Sequence, residues 1–193
     1  MPTRVLIVIG RPRVGKSTLR HRFESLLHVL GGSCSDAILP VASRTLGKSE
    51  EHILSRKEAY RPLLAALGDA LVLDDPSYLA RTVYHRGQPG MTMPGTFILD
   101  GVRRQHELQE FRDYLDRIGV AHRTVWLSRP GAVEVADNTA VFPTDAEVIL
   151  HSSEDRGELV DAAGLLEALF ARATYRTGHY STSALFSTFA AAA

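Results

Sequence analysis

Between the apolar run Arg4-Val5-Leu6-Ile7-Val8-Ile9 and a stretch of helical periodicity lies the octet Gly10-Arg11-Pro12-Arg13-Val14-Gly15-Lys16-Ser17. Two glycines five apart, followed by lysine and a hydroxyl residue, constrain this chain more than any other feature. Glycine tolerates the backbone angles that turn successive N–H groups toward one point. A lysine beside them supplies a point charge, and a serine hydroxyl can ligate a hard cation. The start of the next helix adds a positive end. Together these features suit a polyphosphate carried with magnesium. Lys16, Lys48 and Lys57 are the only lysines in the chain, so coincidence is a weak explanation for one at this position.

The flanks supply the context that such a P-loop requires. Residues 4–9 are apolar and rich in β-branched types without alternation, as in a strand covered on both faces of a parallel sheet. Leu19, Phe23, Leu26, Leu27 and Leu30 recur at helical spacing, with Gly31-Gly32 as the expected stop. ATP and Mg²⁺ are therefore the expected cofactors. Gly10, Arg11, Arg13, Val14, Gly15, Lys16, Ser17 and Thr18 are expected to hold the nucleotide, with Arg11 and Arg13 either turned to a phosphate or left in solvent.

Further along, Ser49-Glu50-Glu51 opens a helix carrying Ile53, Leu54, Tyr60, Leu63, Leu64 and Leu67, with a kink or restart expected at Pro62 and closure at Gly68. Asp75-Pro76 reads as an N-cap with proline at the first helical position. Residues 86–95 read as loop, where Met91 and Met93 are expected to pack or to touch a base. Thr96-Phe97-Ile98-Leu99-Asp100 is a second buried strand, ending in an acid. Ligands gather at strand carboxyl ends in open α/β sheets, so Asp100 is expected to join Ser17 at the metal, the alternative being a turn or capping acid. A helix stopping at Gly119, strands at 123–127 and 146–150, and a helix over 157–173 complete the pattern. Strands alternating with helices predict a three-layer α/β/α P-loop NTPase fold with a mainly parallel sheet. One P-loop domain is expected over 1–173, with a helical insert at about 34–95 and a segment at about 129–144 between the last two strands. A Ser/Thr/Ala-rich tail, 174–193, follows.

Composition narrows the partners. The 193 residues suffice for one domain with a full core. Lys+Arg and Asp+Glu are equal at 22 each, which disfavours nucleic acid as a partner without removing it; small-molecule nucleotides are the partners expected from the P-loop. Cys34 is the only cysteine, and the eight histidines form no close pair at metal-ligand spacing, so neither an internal disulfide nor a zinc site is expected. No run approaches membrane-spanning length, and a cytoplasmic location is expected. A homodimer is left open.

The order of landmarks resembles the phage-type deoxynucleoside monophosphate kinases, a branch of the P-loop nucleoside monophosphate kinases. After the P-loop come Ser35-Asp36-Ala37-Ile38-Leu39, the arginine-led Tyr60-Arg61-Pro62-Leu63-Leu64-Ala65-Ala66-Leu67-Gly68, then Asp75-Pro76-Ser77-Tyr78-Leu79-Ala80-Arg81. Phe97-Ile98-Leu99-Asp100-Gly101-Val102-Arg103-Arg104-Gln105-His106-Glu107 and the final strand and helix complete the likeness over most of residues 4–172. The resemblance implies phosphoryl transfer to a (deoxy)nucleoside monophosphate in the cytoplasm, that of the host cell if the chain is phage-encoded. Arg61, Arg81, Arg103 and Arg104 would hold the acceptor phosphate, since the planar guanidinium binds phosphate through paired hydrogen bonds. Lys16, Arg61, Asp100 and Arg103 would carry catalysis. Asp36 would meet the acceptor's sugar or base, with helix capping an equal alternative. The chain departs from the family at the lid, where residues 130–144 hold Glu134 and Asp137 but no Lys or Arg, leaving Arg129 at its base.

Two other readings stand beside this one. A kinase with a hydroxyl acceptor, such as a modified base in DNA, would need a proton acceptor, for which Asp36 or Asp100 is the expected choice. A nucleotide-binding module without efficient transfer is the third. The Asn/Thr-Lys-x-Asp string of guanine recognition is absent from the chain.

Overall fold

The computed structural model describes residues 4–27, 29–88, 95–129, 141–151, 162–171 and 179–181. Strand β1 (Arg4–Ile9) leads through the glycine loop into α1 (Lys16–Leu27), then β2 (Leu30–Ser33) and four helices, α2 (Cys34–Leu46), α3 (Glu50–Ser55), α4 (Lys57–Leu71) and α5 (Tyr78–Gly87). The chain then returns to the sheet as β3 (Thr96–Asp100), α6 (Gln105–Arg117), β4 (Ala121–Ser128), a 3₁₀ turn (Pro143–Asp145), β5 (Val148–His151), α7 (Ala162–Ala171) and β6 (His179–Ser181). The six described strands lie in the order β2-β3-β1-β4-β5-β6, and every pairing is parallel.

The unbroken apolar character of β1 is explained by burial on both sides. Val5, Ile7 and Ile9 face a core closed by α2, α5 and α6, with Phe97, Leu99, Tyr84 and Phe111. Leu6 and Val8 face the opposite core, closed by Leu19 and Phe23 of α1 and by Leu165, Leu166 and Leu169 of α7. This is the three-layer α/β/α arrangement that the sequence pattern predicts. Outside the sheet, Leu39, Ala42 and Ile53 gather Leu46, Tyr60, Leu64 and Leu67 into a small separate core that holds α2, α3 and α4 together.

Several boundaries differ from the sequence reading. Gly31-Gly32 does not stop α1; it lies in edge strand β2. The reason is close packing on both sides. A Cβ at Gly31 would meet the Ile98 carbonyl oxygen at 2.7 Å and Arg20 Cδ at 2.8 Å, and one at Gly32 would meet Val83 Cγ1 at 2.3 Å. The helical restart comes at Arg56 rather than Pro62, which sits inside α4. Gly68 is buried within α4, where an added Cβ would stand 3.0 Å from Ile38 Cδ1, and the helix continues to Leu71. Helix α5 begins at Tyr78, two residues beyond the expected start, because Asp75 Oδ1 accepts from the Ser77 amide (3.2 Å) and hydroxyl (2.9 Å) in a turn of its own. The expectations for Met91 and Met93, for residues 130–140 of the lid-like segment and for nearly all of the tail fall outside the described residues. No helix among the described residues is long and apolar enough to cross a membrane.

Candidate active site

The loop between β1 and α1 is shaped by one buried side chain and three left-handed residues. Val14, 2% exposed, anchors the loop in the core shared by β1 and α1. Gly10 (φ 145°) and Gly15 (φ 98°) take angles that favour glycine, and a Cβ at Gly10 would stand 2.3 Å from the Leu127 carbonyl oxygen. Arg13 also sits at positive φ, 64°, although it carries a side chain, and it is exposed. Lys16 Nζ donates to the carbonyls of Gly10 and Arg11, both at 2.7 Å, so the ammonium already lies across the loop. Ser17 and Thr18 are exposed in the first turn of α1, which carries no acid to compete for its positive end.

A cleft of about 240 Å³ opens from this loop. Gly10, Lys16, Ser17 and Asp100 line it beside the loop; Lys57, Arg61 and Arg103 bring further cations to the same space. Its apolar wall includes Ile38, Leu39, Leu54, Leu64 and Leu79. Arg13, Cys34, Asp69 and Glu107 also line it. The carboxyl ends of β1 and β3 are adjacent through parallel pairing, Val8 opposite Asp100, and this brings the loop and the acid together.

The expected site residues divide into two groups. Lys16, Ser17, Asp100, Arg61 and Arg103 line one cleft. Arg61 is held by Glu58 through Nε (3.0 Å) and Nη2 (2.6 Å), and that bond keeps the Glu58 carboxyl below its ordinary range. Arg104 stands one step behind, ion-paired to Asp69 and 3.5 Å from Glu107. Arg81 turns to the outer side of α5: it pairs with Asp75, lies over the Tyr114 ring at 5.5 Å, and lines a separate open concavity with Tyr78 and His85. Asp36 takes the capping alternative, its Oδ2 accepting from the Ser33 amide at 2.7 Å. Arg11 contributes its carbonyl to Lys16. Arg129 is exposed at the end of β4.

Four residues near the site escaped the sequence reading. Lys57 shares a helix face with Arg61, Leu64 and Gly68, a spacing of four, three and four that was visible in the sequence. Arg20, buried at 9% exposure, donates from Nε to Asp100 Oδ2 at 2.9 Å and from Nη1 to Glu24 at 2.8 Å. Burial alone would lower its pKa; the bonds to Asp100 and Glu24 outweigh this and hold it charged. Glu107 is 8% exposed, and burial raises its carboxyl pKa against the Arg103 amide (3.3 Å) and Arg104, which pull it down. Cys34 is buried in the cleft wall, and its thiol is pushed well up by burial and then by the acids Glu107, Asp100 and Asp36. It therefore stands as an unreactive thiol.

No protein-family model matches the chain, and no curated protein matches it either. Solved structures do. A protein from Chloroflexus aurantiacus described as a candidate kinase aligns over 87% of this chain and 94% of its own, with a TM-score of 0.50 and 17% identity. The APS kinase CysC of Mycobacterium tuberculosis, in complex with AMPPNP and APS, aligns over 88% of this chain and 99% of its own, with a TM-score of 0.50 and 13% identity. At such identities the likeness is one of fold alone, a three-layer α/β/α fold built on a parallel sheet.

Proposed function

We propose that the chain is an ATP- and Mg²⁺-dependent phosphotransferase whose acceptor is a (deoxy)nucleoside monophosphate, converted to the diphosphate. The observation that carries this reading is the single cleft in which Lys16 and Ser17 share space with Lys57, Arg61 and Arg103. Two polyanions need two sets of cations, and the cleft supplies both. In the M. tuberculosis kinase of like fold, AMPPNP is present together with a second ligand, APS, which supports a cleft for two ligands.

The reaction asks little covalent chemistry of the protein. An oxygen of the acceptor phosphate bonds to the γ-phosphorus as the bond to the β,γ-bridging oxygen breaks, and ADP leaves. Lys16 and the loop amides of residues 13–18 hold the β- and γ-phosphates; Arg61 and Arg103, with Lys57, orient the acceptor phosphate and offset its charge. The base rests against Ile38, Leu39, Leu64 and Leu79. The Ser17 hydroxyl and the Asp100 carboxylate are hard oxygen donors lining the same cleft, a set that fits Mg²⁺ with phosphate and water oxygens completing it. When bound, the ion neutralises charge developing on the phosphates. Asp100 already gives Oδ2 to Arg20, and Asp36 caps α2, so neither of the two acids expected to serve as a base is disengaged. A phosphate acceptor, already ionised, requires none.

One observation favours the hydroxyl-acceptor reading. Glu107 lines the cleft, buried and with a raised pKa, as a general base would be. A panel of deoxy- and ribonucleoside monophosphates, small hydroxyl acceptors and duplex DNA, each with γ-labelled ATP, separates the two. Label is expected in a nucleoside diphosphate and is expected to vanish in Lys16→Ala. Transfer to a hydroxyl acceptor or DNA but to no monophosphate overturns the acceptor assignment.

A further inference from the structure

Arg20 is the only buried arginine among the described residues, and neither the phosphate loop nor the acceptor cleft uses it. It stands four residues after Lys16 on α1 and reaches behind β3, where its Nε meets Oδ2 of Asp100 at 2.9 Å. Asp100 is 2% exposed. The outer end of the guanidinium is fixed by Glu24 Oε1 at 2.8 Å, and Glu24 Oε2 is bonded in turn to His21 Nδ1 at 2.8 Å. Room for this arrangement comes from Gly31, where a Cβ would stand 2.8 Å from both Arg20 Cδ and Glu24 Oε1. The room left by one glycine and the charge of one acid, Glu24, thus serve to keep a guanidinium against the acid at the end of β3.

An ion pair of this kind does two things to a carboxylate. It fixes the group's orientation by engaging Oδ2 at the wall of the cleft that Asp100 lines. It also offsets the carboxylate's charge, so an approaching dication meets a neutral Asp100–Arg20 pair in place of a free carboxylate, with Glu24 on the far side of the guanidinium. We propose that Arg20 is a positioning residue that makes capture of the divalent cation at Asp100 conditional on nucleotide: the free cation is refused, and the cation carried by the triphosphate, whose oxygens supply the missing negative charge, is accepted. This rests on the reading of Ser17 and Asp100 as the metal's protein ligands.

The test is Mn²⁺ binding followed by electron paramagnetic resonance, with and without AMPPNP, in the full chain and in Arg20→Gln, Arg20→Lys, Asp100→Asn and the Arg20→Gln/Asp100→Asn double variant. Without nucleotide, Arg20→Gln is expected to bind Mn²⁺ about tenfold more tightly than the unaltered chain, the cation taking over the charge that Arg20 supplied. Arg20→Lys keeps the weak affinity, and the double variant shows no gain. Asp100→Asn, which needs no change at Arg20, is expected to leave nucleotide-free Mn²⁺ binding within about twofold while weakening Mn²⁺ in the presence of AMPPNP about tenfold. The proposal is overturned if Arg20→Gln leaves nucleotide-free affinity unchanged, if its gain survives in the double variant, or if Asp100→Asn alone lowers nucleotide-free binding. Failure of the unaltered chain to bind AMPPNP would instead count against the phosphotransferase reading, and the nucleotide-free comparisons would still decide the role of Arg20.

Discussion

Arg13 holds a left-handed conformation, φ 64°, at a loop position where its side chain is exposed and unneeded for the core. An L-residue there carries about 1–2 kcal/mol of steric cost, and glycine avoids it at an unfolded-state entropy cost of about 0.5–1 kcal/mol. Arg13→Gly is thus expected to be about 1 kcal/mol more stable than Arg13→Ala, or about 3 °C in melting temperature for a chain of this size. Equal melting of the two variants would show that the loop relaxes away from the left-handed region. Glu107 makes a second residue-scale case. Its carboxyl pKa is raised in the folded protein, so the folded state binds the proton more tightly than the unfolded one. The associated stability is fully present below the ordinary glutamate value of 4.5 and is lost as pH rises through the higher folded value. Glu107→Gln removes the cost of burying the charge; its melting temperature relative to the parent is expected to be higher at pH 8 than at pH 4. A pH-independent difference would refute that linkage.

At the scale of elements, what was legible in the sequence was what local chemistry decides. The continuous apolar runs at 4–9 and 96–100 became strands with those same limits. Ser49 capped α3 as its hydroxyl position implied, accepting from the His52 amide at 3.2 Å. Gly31-Gly32 misled because glycine has two uses, ending helices and allowing close approach, and only the partners Arg20, Glu24 and Val83, remote in sequence or hidden in a helix, reveal the second. The same holds for the site: the P-loop is a contiguous string, whereas Lys57, Arg20 and Glu107 reach the cleft or its acid only through tertiary packing. Gly32 gives this a measurable form. Gly32→Ala would press a methyl onto Val83 Cγ1 at 2.3 Å between β2 and α5, with a loss of about 1–3 kcal/mol expected on chemical denaturation. Val83 is 5% exposed, and the double variant Gly32→Ala/Val83→Ala is expected to cost less than the sum of the two single changes, since the truncated side chain vacates the space. Strict additivity would mean that α5 shifts instead.

At the scale of the molecule, sheet order decides how the cleft is divided. Strand β1, and hence the P-loop, sits between β3 and β4; β2, β3 and the helices α2 to α5 lie on one side of it, and β4, β5 and β6 on the other. Lys57 and Arg61 belong to α4, and Arg103 to the turn after β3, so all three cations stand on the β3 side, while Lys16 stays on the loop itself. Donor and acceptor phosphates should therefore be separable by mutation. Arg61 offers two guanidinium donors that Glu58 holds in place, and exchanging that surface pair for a phosphate costs little because solvent-screened ion pairs contribute little. Removing a charged hydrogen-bonding partner of the phosphate costs about 1.5–3 kcal/mol. Arg61→Ala is thus expected to raise the acceptor KM by about tenfold or more and to leave the ATP KM within about twofold, whereas Lys16→Ala should cripple kcat and ATP binding together. Steady-state kinetics with each substrate varied in turn reads both. An Arg61→Ala variant whose ATP KM rose as steeply as its acceptor KM would place that guanidinium on the donor and collapse the division of the cleft on which the two-phosphate reading depends.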